Sequence, residues 1–306
     1  LEAVGLEDRT RELTGLYLLG RAPSVLPLLL HTALRSYLQA NHVARPVMLS
    51  TLAANLLNVP ADLALGFGWG PIPAMGVLGI GLTSTLVVIF QAAWLWWALR
   101  AVPRVDSMAP TRAGTRKLLG VGLPIGLHLM SEMGAFALVT FLMGGLGTLA
   151  VGGHQTALML AAFTFTVCLG IGAATSVRVG HAVGRGDAEG SLRAGLVGIG
   201  SGVAFMSLTA ACFLLFPYQL ARLVVADERV VEAAAPLLRI AGFFQIFDGL
   251  QAVASGAMRG AGDTAAAFRY TLFGHWVVGL PFGVACTYVW GWGPPALWWG
   301  LTLGLG

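Results

Sequence analysis

Eight apolar runs, each about twenty residues or longer, recur along the chain and fix the solvent it can fold in. A helix of that length crosses roughly 30 Å of hydrocarbon, where only helices and closed barrels satisfy their own backbone. The runs cover Gly15–Leu34, Pro46–Phe67, Met75–Leu99, Leu118–Met143, Leu149–Val177, Ala194–Phe216, Pro236–Met258 and Tyr270–Trp290, and a ninth begins at Pro295. Composition excludes the soluble alternative. Hydrophobic residues make up 57% of the chain and charged ones only 10%, against about 25% charged in a soluble domain. The opening LEAVGLEDRTREL is charged and lacks an apolar region, so it does not read as a secretory signal. The predicted fold class is an all-α polytopic membrane protein with about eight complete transmembrane helices plus the start of a ninth.

The net charge of +4 does not point to nucleic acid, because in a membrane protein the placement of basic residues matters more than their sum. Twelve of the eighteen basic residues fall in alternate connections, around Arg35/Arg45, Arg100–Lys117, Arg178–Arg193 and Arg259/Arg269. The intervening connections hold Arg9, Arg11, Arg222 and Arg229, while Arg21 and Arg239 lie near the outer ends of their spans. The basic set is therefore expected on the cytoplasmic side of the cell's inner (plasma) membrane. Nine tryptophans gather at span ends, as interfacial anchors do. Cys168, Cys212 and Cys286 lie singly in apolar runs and read as small core residues, without a disulfide framework.

GWGP occurs twice, at Gly68–Pro71 and Gly291–Pro294, each time after a proline-containing apolar run (Pro60, Pro281). The offset of about 220 residues reads as an internal duplication of a six-span unit. The second unit has three spans, within Leu118–Phe216, that the first does not match, so the sequence is expected to lack roughly three N-terminal spans and most of a C-terminal one. Parallel six-helix halves are a transporter architecture with a binding cavity between them. The expected division is 1–100 for a partial N-terminal lobe, 101–117 for a cytoplasmic linker and 118–306 for the C-terminal lobe.

Charge inside hydrocarbon costs several kcal/mol and marks function. Glu132 lies 15 residues past Lys117, roughly 22 Å along a helix, and Asp248 lies 11 residues before Arg259, again near the middle of its span. Neither is expected to have a partner base beside it in the membrane. Asp62 follows Asn58 by one turn beside Pro60, which puts both on one helix face. A buried carboxyl that takes either a small cation or an organic cation can run an antiport cycle. Two Gly-x-Gly-Asp stretches, Gly184–Asp187 and Gly260–Asp263, match in part the motif of intramembrane aspartyl proteases, but both sit beside arginines in connections, where no buried dyad forms. The glycine-rich stretches at Gly170–Thr175 and Gly198–Gly202 lack the strand–turn–helix setting of nucleotide loops, and the six histidines show no metal-ligand spacing.

These residues resemble the multidrug and toxic compound extrusion (MATE) family, in its NorM-like branch. The stretches that carry the likeness are GLPIGLHLMSEMGAFALVTFLMGGLG, GGHQTALML, SVRVGHAVGRGD and FFQIFDGLQAVASGAMRGAGDT, with YLQANHVARPVM and NLLNVPADLALGFG in the first half. The resemblance implies two parallel six-helix lobes in the parent, of which this chain supplies helices 4–6, 7–11 and the start of 12. It also implies a secondary active transporter, not an enzyme, which exports small amphipathic, mostly cationic compounds in exchange for protons or sodium. No cofactor beyond the coupling ion is implied, nor any nucleic-acid partner. The protein is expected to be a monomer among membrane lipids. By the same resemblance Glu132 and Asp248 hold the coupling cation, sodium included, and bind substrate, and Gln155 is a cavity-facing polar position. Asn58 fits the fifth-helix pattern, whereas Asp62 stands where Asn is expected, which would add a proton site or alter which ion couples. A flippase for lipid-linked sugars, from the same broad superfamily, is the nearest rival; its anionic substrates would call for a buried arginine, and Arg239 is the residue to watch.

Overall fold

The computed structural model describes residues 8–69, 71, 73–102 and 111–306. Part of the expected linker (103–110), Gly70 of the first GWGP and residues 1–7 lie outside the described residues. The described chain is helical, with eight helices long and apolar enough to cross a membrane, and it divides into two compact units, Leu1–Met108 and Ala109–Gly306.

In the first unit α1 (Asp8–Arg21) and α2 (Val25–Ala40) join through a single 3-10 turn at Ala22–Ser24, where Pro23 sits, and together make one span, Arg11–Ala40. Next come α3 (Arg45–Asp62), which runs on as a π-helix over Leu63–Phe67, and α4 (Gly76–Ala98). The α1–α4 crossing is made by glycine. A Cβ on Gly20 would come 2.8 Å from the Leu78 carbonyl oxygen, and one on Gly81 would come 2.7 Å from that of Tyr17. Close backbone approach of this kind replaces the hydrophobic drive that lipid does not supply. Thr85 uses it to donate a hydrogen bond to the Gly20 carbonyl at 2.7 Å.

The second unit contains α5 (Arg112–Gly144), α6 (Thr148–Gly184), α7 (Ala188–Leu215), the short α8 (Pro217–Arg222) and α9 (Glu228–Ala261). A bent span follows: α10 (Thr264–Leu272), a π-helix at Phe273–Gly279, α11 (Leu280–Val284) and a second π-helix at Ala285–Val289. The last element is α12 (Pro294–Leu305). Several helices start earlier than the apolar runs suggest, because capping residues set their ends. Thr111 accepts from the Gly114 N–H and starts α5 six residues before Leu118. Asp227 accepts from the Arg229 N–H and starts α9 at Glu228, which leaves Pro236 inside the helix rather than at its head. Both Gly-x-Gly-Asp stretches are tight turns between helices. Gly186 and Gly262 take positive φ (69° and 89°), and Asp187 and Asp263 cap α7 and α10 through the N–H groups of Gly190 and Ala266.

α6 and α9 run parallel and touch along their length with a constant offset of eighty residues, from Gly153 against Ala233 to Gly172 against Ala252 and Gly180 against Gly260. Trp298, Phe244, Leu238 and Met143 fill the core beside them. Large apolar side chains such as Leu56 and Phe141 stay exposed, as a lipid-facing surface requires. Of the three cysteines, Cys168 and Cys286 are buried, but Cys212 is exposed and so is not the core residue expected.

Candidate functional site

Inside the second unit α5 and α9 bring Glu132 and Asp248 within electrostatic reach of each other. Asp248 is buried, 5% exposed, on a face of α9 that α6 covers with Cys168. Glu132 is nearly so, with its side chain 14% exposed. Contrary to the sequence reading, basic groups accompany the pair. His128, one turn before Glu132, places its Nε2 3.8 Å from Glu132 Oε2, and the half-buried Arg259 of α9 is within electrostatic reach of the same carboxyl. The His–Glu spacing of four was readable in HLMSE, but an uncharged polar residue in an apolar run carries little signal on its own.

A cavity of about 150 Å³ opens beside this group, lined by Gln251, Ser255, Tyr270, Thr271 and His275 among others. Gln251 Nε2 donates to the Thr271 hydroxyl at 3.1 Å. His275 Nδ1 lies 3.2 Å from the Thr271 carbonyl oxygen, which makes Nδ1 the donor and leaves its buried Nε2 without a partner among the described residues. The Trp276 indole N–H donates to the Ser131 carbonyl at 3.1 Å and ties this π-helix to α5 one residue from Glu132. Three residues before Asp248 on α9, the side-chain oxygen of the fully buried Gln245 accepts from the hydroxyls of Thr164 on α6 and Thr209 on α7.

Gln155 projects from the exposed face of α6 with Met159 and Phe163, while its neighbour His154 is fully buried and shares a 2.9 Å hydrogen bond with Thr140. Asn58 and Asp62 belong to the first unit, where both are half-buried. Asp62 ends α3, and its Oδ1 is buried without a hydrogen-bond partner among the described residues. Arg239 packs its guanidinium over the Tyr218 ring at 5.6 Å, eleven residues into α9 and not at the end of its span as the sequence suggested.

Residues 124–285, which contain Glu132 and Asp248, match the family MatE. A probable multidrug resistance protein NorM of Pseudomonas putida is 36% identical over 296 residues, 92% of this chain and 64% of that protein. Its counterpart in Deinococcus radiodurans is 37% identical over 305 residues, 97% of this chain and 67% of that protein. The chain thus spans about two thirds of the length of these relatives. Among solved structures, an outward-facing multidrug resistance MATE family transporter of the MOP superfamily superposes with a TM-score of 0.89 at 20% identity, over 99% of this chain and 68% of that one. The helical fold, the matched stretch around the paired carboxyls and the similarity to both relatives agree: the chain belongs to the MatE family.

Proposed function

We propose that this chain is the greater part of a cation-coupled antiporter that exports amphipathic, mostly cationic compounds by alternating access. The observation that carries the reading is that Glu132 and Asp248 lie within electrostatic reach of each other inside membrane-spanning helices. Charge in hydrocarbon is retained where it handles ions or substrate. In the proposed cycle the ionised pair holds an organic cation, and protons or sodium entering from outside neutralise the pair and expel it. Each charge moved along the membrane potential is driven by about 2.3 kcal/mol per 100 mV. Asn58 and Asp62 of the first unit and Gln155 on α6 are each assigned to cation or substrate binding. The basic connections are assigned to the cytoplasm, and the working unit is a monomer in the inner membrane.

The test uses the full-length protein in proteoliposomes, with ethidium as substrate and proton and sodium gradients imposed separately. Gradient-driven flux lost in both Glu132→Gln and Asp248→Asn is the expected result, and the effective gradient names the ion. Flux that ignores both substitutions, or no flux of any organic cation, would sink the mechanism.

A further inference from the structure

Gln245 has no part in the reading above, yet it is completely buried in a membrane-spanning helix. Its side-chain oxygen accepts from the Thr164 hydroxyl at 2.5 Å and the Thr209 hydroxyl at 3.0 Å. Its Nε2 is shut off from solvent and has no partner among the described residues. A bare amide nitrogen in a low-dielectric interior is strongly unfavourable, so a state of the protein that satisfies it is to be expected.

The position of Gln245 indicates that partner. Thr164 and Cys168, one turn apart on α6, face Gln245 and Asp248 respectively, and a Cβ on Gly249 would stand 3.3 Å from the Cys168 sulfur. Gln245 and Asp248 therefore lie on one strip of α9, three residues apart, a spacing at which such side chains hydrogen-bond. The other groups around Asp248 are Glu132 from α5 and Cys168 from α6, while α7 contributes Met206 beside Gly249.

An amide has two chemical faces. Its N–H groups suit an ionised carboxylate, and its oxygen suits a protonated carboxyl or a metal cation. The two threonines fit either arrangement. At present each hydroxyl faces the Gln245 oxygen, yet Thr164 Oγ1 is also 2.8 Å from the Ala161 carbonyl oxygen and Thr209 Oγ1 is 3.0 Å from that of Met206. If the amide turns over, its two N–H protons go to the two hydroxyl oxygens and the two hydroxyl protons go to those carbonyls. The Gln245 oxygen then takes the place that Nε2 had, and each of these protons has an acceptor.

We propose that Gln245 is a positioning residue for Asp248: its amide turns to match the cation-free and cation-occupied carboxyl, and Thr164 and Thr209 pass that state to α6 and α7. The inference rests on the reading of Asp248 as a coupling carboxylate.

The experiment takes the full-length protein in nanodiscs with ¹⁵N-labelled glutamine side chains, where Gln245→Met identifies the resonance of interest. That resonance should shift on acidification or on adding sodium, and the shift should vanish in Asp248→Asn. In proteoliposomes Gln245→Met should raise the cation concentration for half-maximal ethidium flux about ten- to hundredfold. Thr164→Val should act in the same direction and Thr164→Ser should restore the wild-type value, which separates lost hydroxyl chemistry from lost packing. A resonance indifferent to both cations, or a folded Gln245→Met protein with unaltered cation dependence, overturns the proposal. A resonance that responds through Asp248 in a protein carrying no ethidium flux removes the transport reading and leaves the positioning role standing.

Discussion

Two helices of this chain carry a proline ahead of GWGP, and they solve the same problem differently. The helix with Pro60 changes from α to π over Leu63–Phe67, and the one with Pro281 does so on both sides of the proline. In the first unit the Pro60 helix meets Gly79 of α4 at the Leu65 carbonyl. In the second unit Gly274, Gly279 and Gly283 lie against Gly300 and Gly304 of α12, backbone to backbone. The acids are distributed the other way. Asp62 stands on the first bent helix itself, whereas the second bent helix carries His275 and leaves the carboxyls to α5 and α9. A repeated sequence cue thus specifies a deformed helix, and the surface packed against that helix decides where polar groups can go.

Crowding offers the harshest way to break this contrast. A methyl on Gly279 would stand 2.6 Å from the Gly300 carbonyl oxygen, so Gly279→Ala should lower stability by about 1–3 kcal/mol. At Gly66 the nearest atom is Ile80 Cγ1 at 3.4 Å, and Gly66→Ala should be neutral or stabilising by up to about 1 kcal/mol. Equal shifts in thermal unfolding of the two variants would show that the backbone contact at Gly279 is no more restrictive than the Ile80 side chain at Gly66.

Hydrogen bonds give a finer comparison. Thr140→Val leaves the fully buried His154 ring without its Nε2 partner and should cost about 1–3 kcal/mol. Thr85→Val removes a bond to the Gly20 carbonyl and should cost about 0.6 kcal/mol, a typical value between membrane helices. Unfolding of both variants in the same lipid tests the order, and a reversed order would contradict the view that the second unit holds the costlier polar core.

The smallest effect concerns helix starts. Hydrogen bonds from Arg229, first from its side chain and then from its backbone N–H, hold the Asp227 carboxyl below the usual carboxylate range. A depressed folded-state value means that the cap stabilises at neutral pH and weakens as pH falls through that value. α5 is capped by Thr111, which has no ionisable group. Amide protection, measured against the intrinsic exchange rate at each pH, should therefore fall at the first turn of α9 on acidification and stay constant at the first turn of α5. Parallel changes at both helices would rule out the Asp227 cap as the cause.

The spans and the two acids were legible because hydropathy and charge are properties of single positions. Glu132 and Asp248 stand out in apolar runs whatever surrounds them. Pro236 misled as a helix start, since lipid-embedded helices accept an internal proline once a cap such as Asp227 lies upstream. The companions of the acids were harder to see, because His128 and Gln245 are uncharged and their meaning lies in spacings of four and three residues. His154 was passed over for Gln155 although about 100° of helix rotation separates them, and one is fully buried while the other is exposed. The α6–α9 pairing depends on small residues eighty positions apart, and no local pattern marks it.

That pairing carries a consequence for biosynthesis. At roughly 5–20 residues per second, Gly153 is made about 4–16 s before Ala233, the residue that will close against it. During that interval α6 must lodge in the bilayer with Thr164 and the glycine strip unmatched, while α7 and α8 emerge behind it. A ribosome paused between α8 and α9 would hold the unit at its most vulnerable, with one half of its longest seam exposed to lipid and to quality-control proteases.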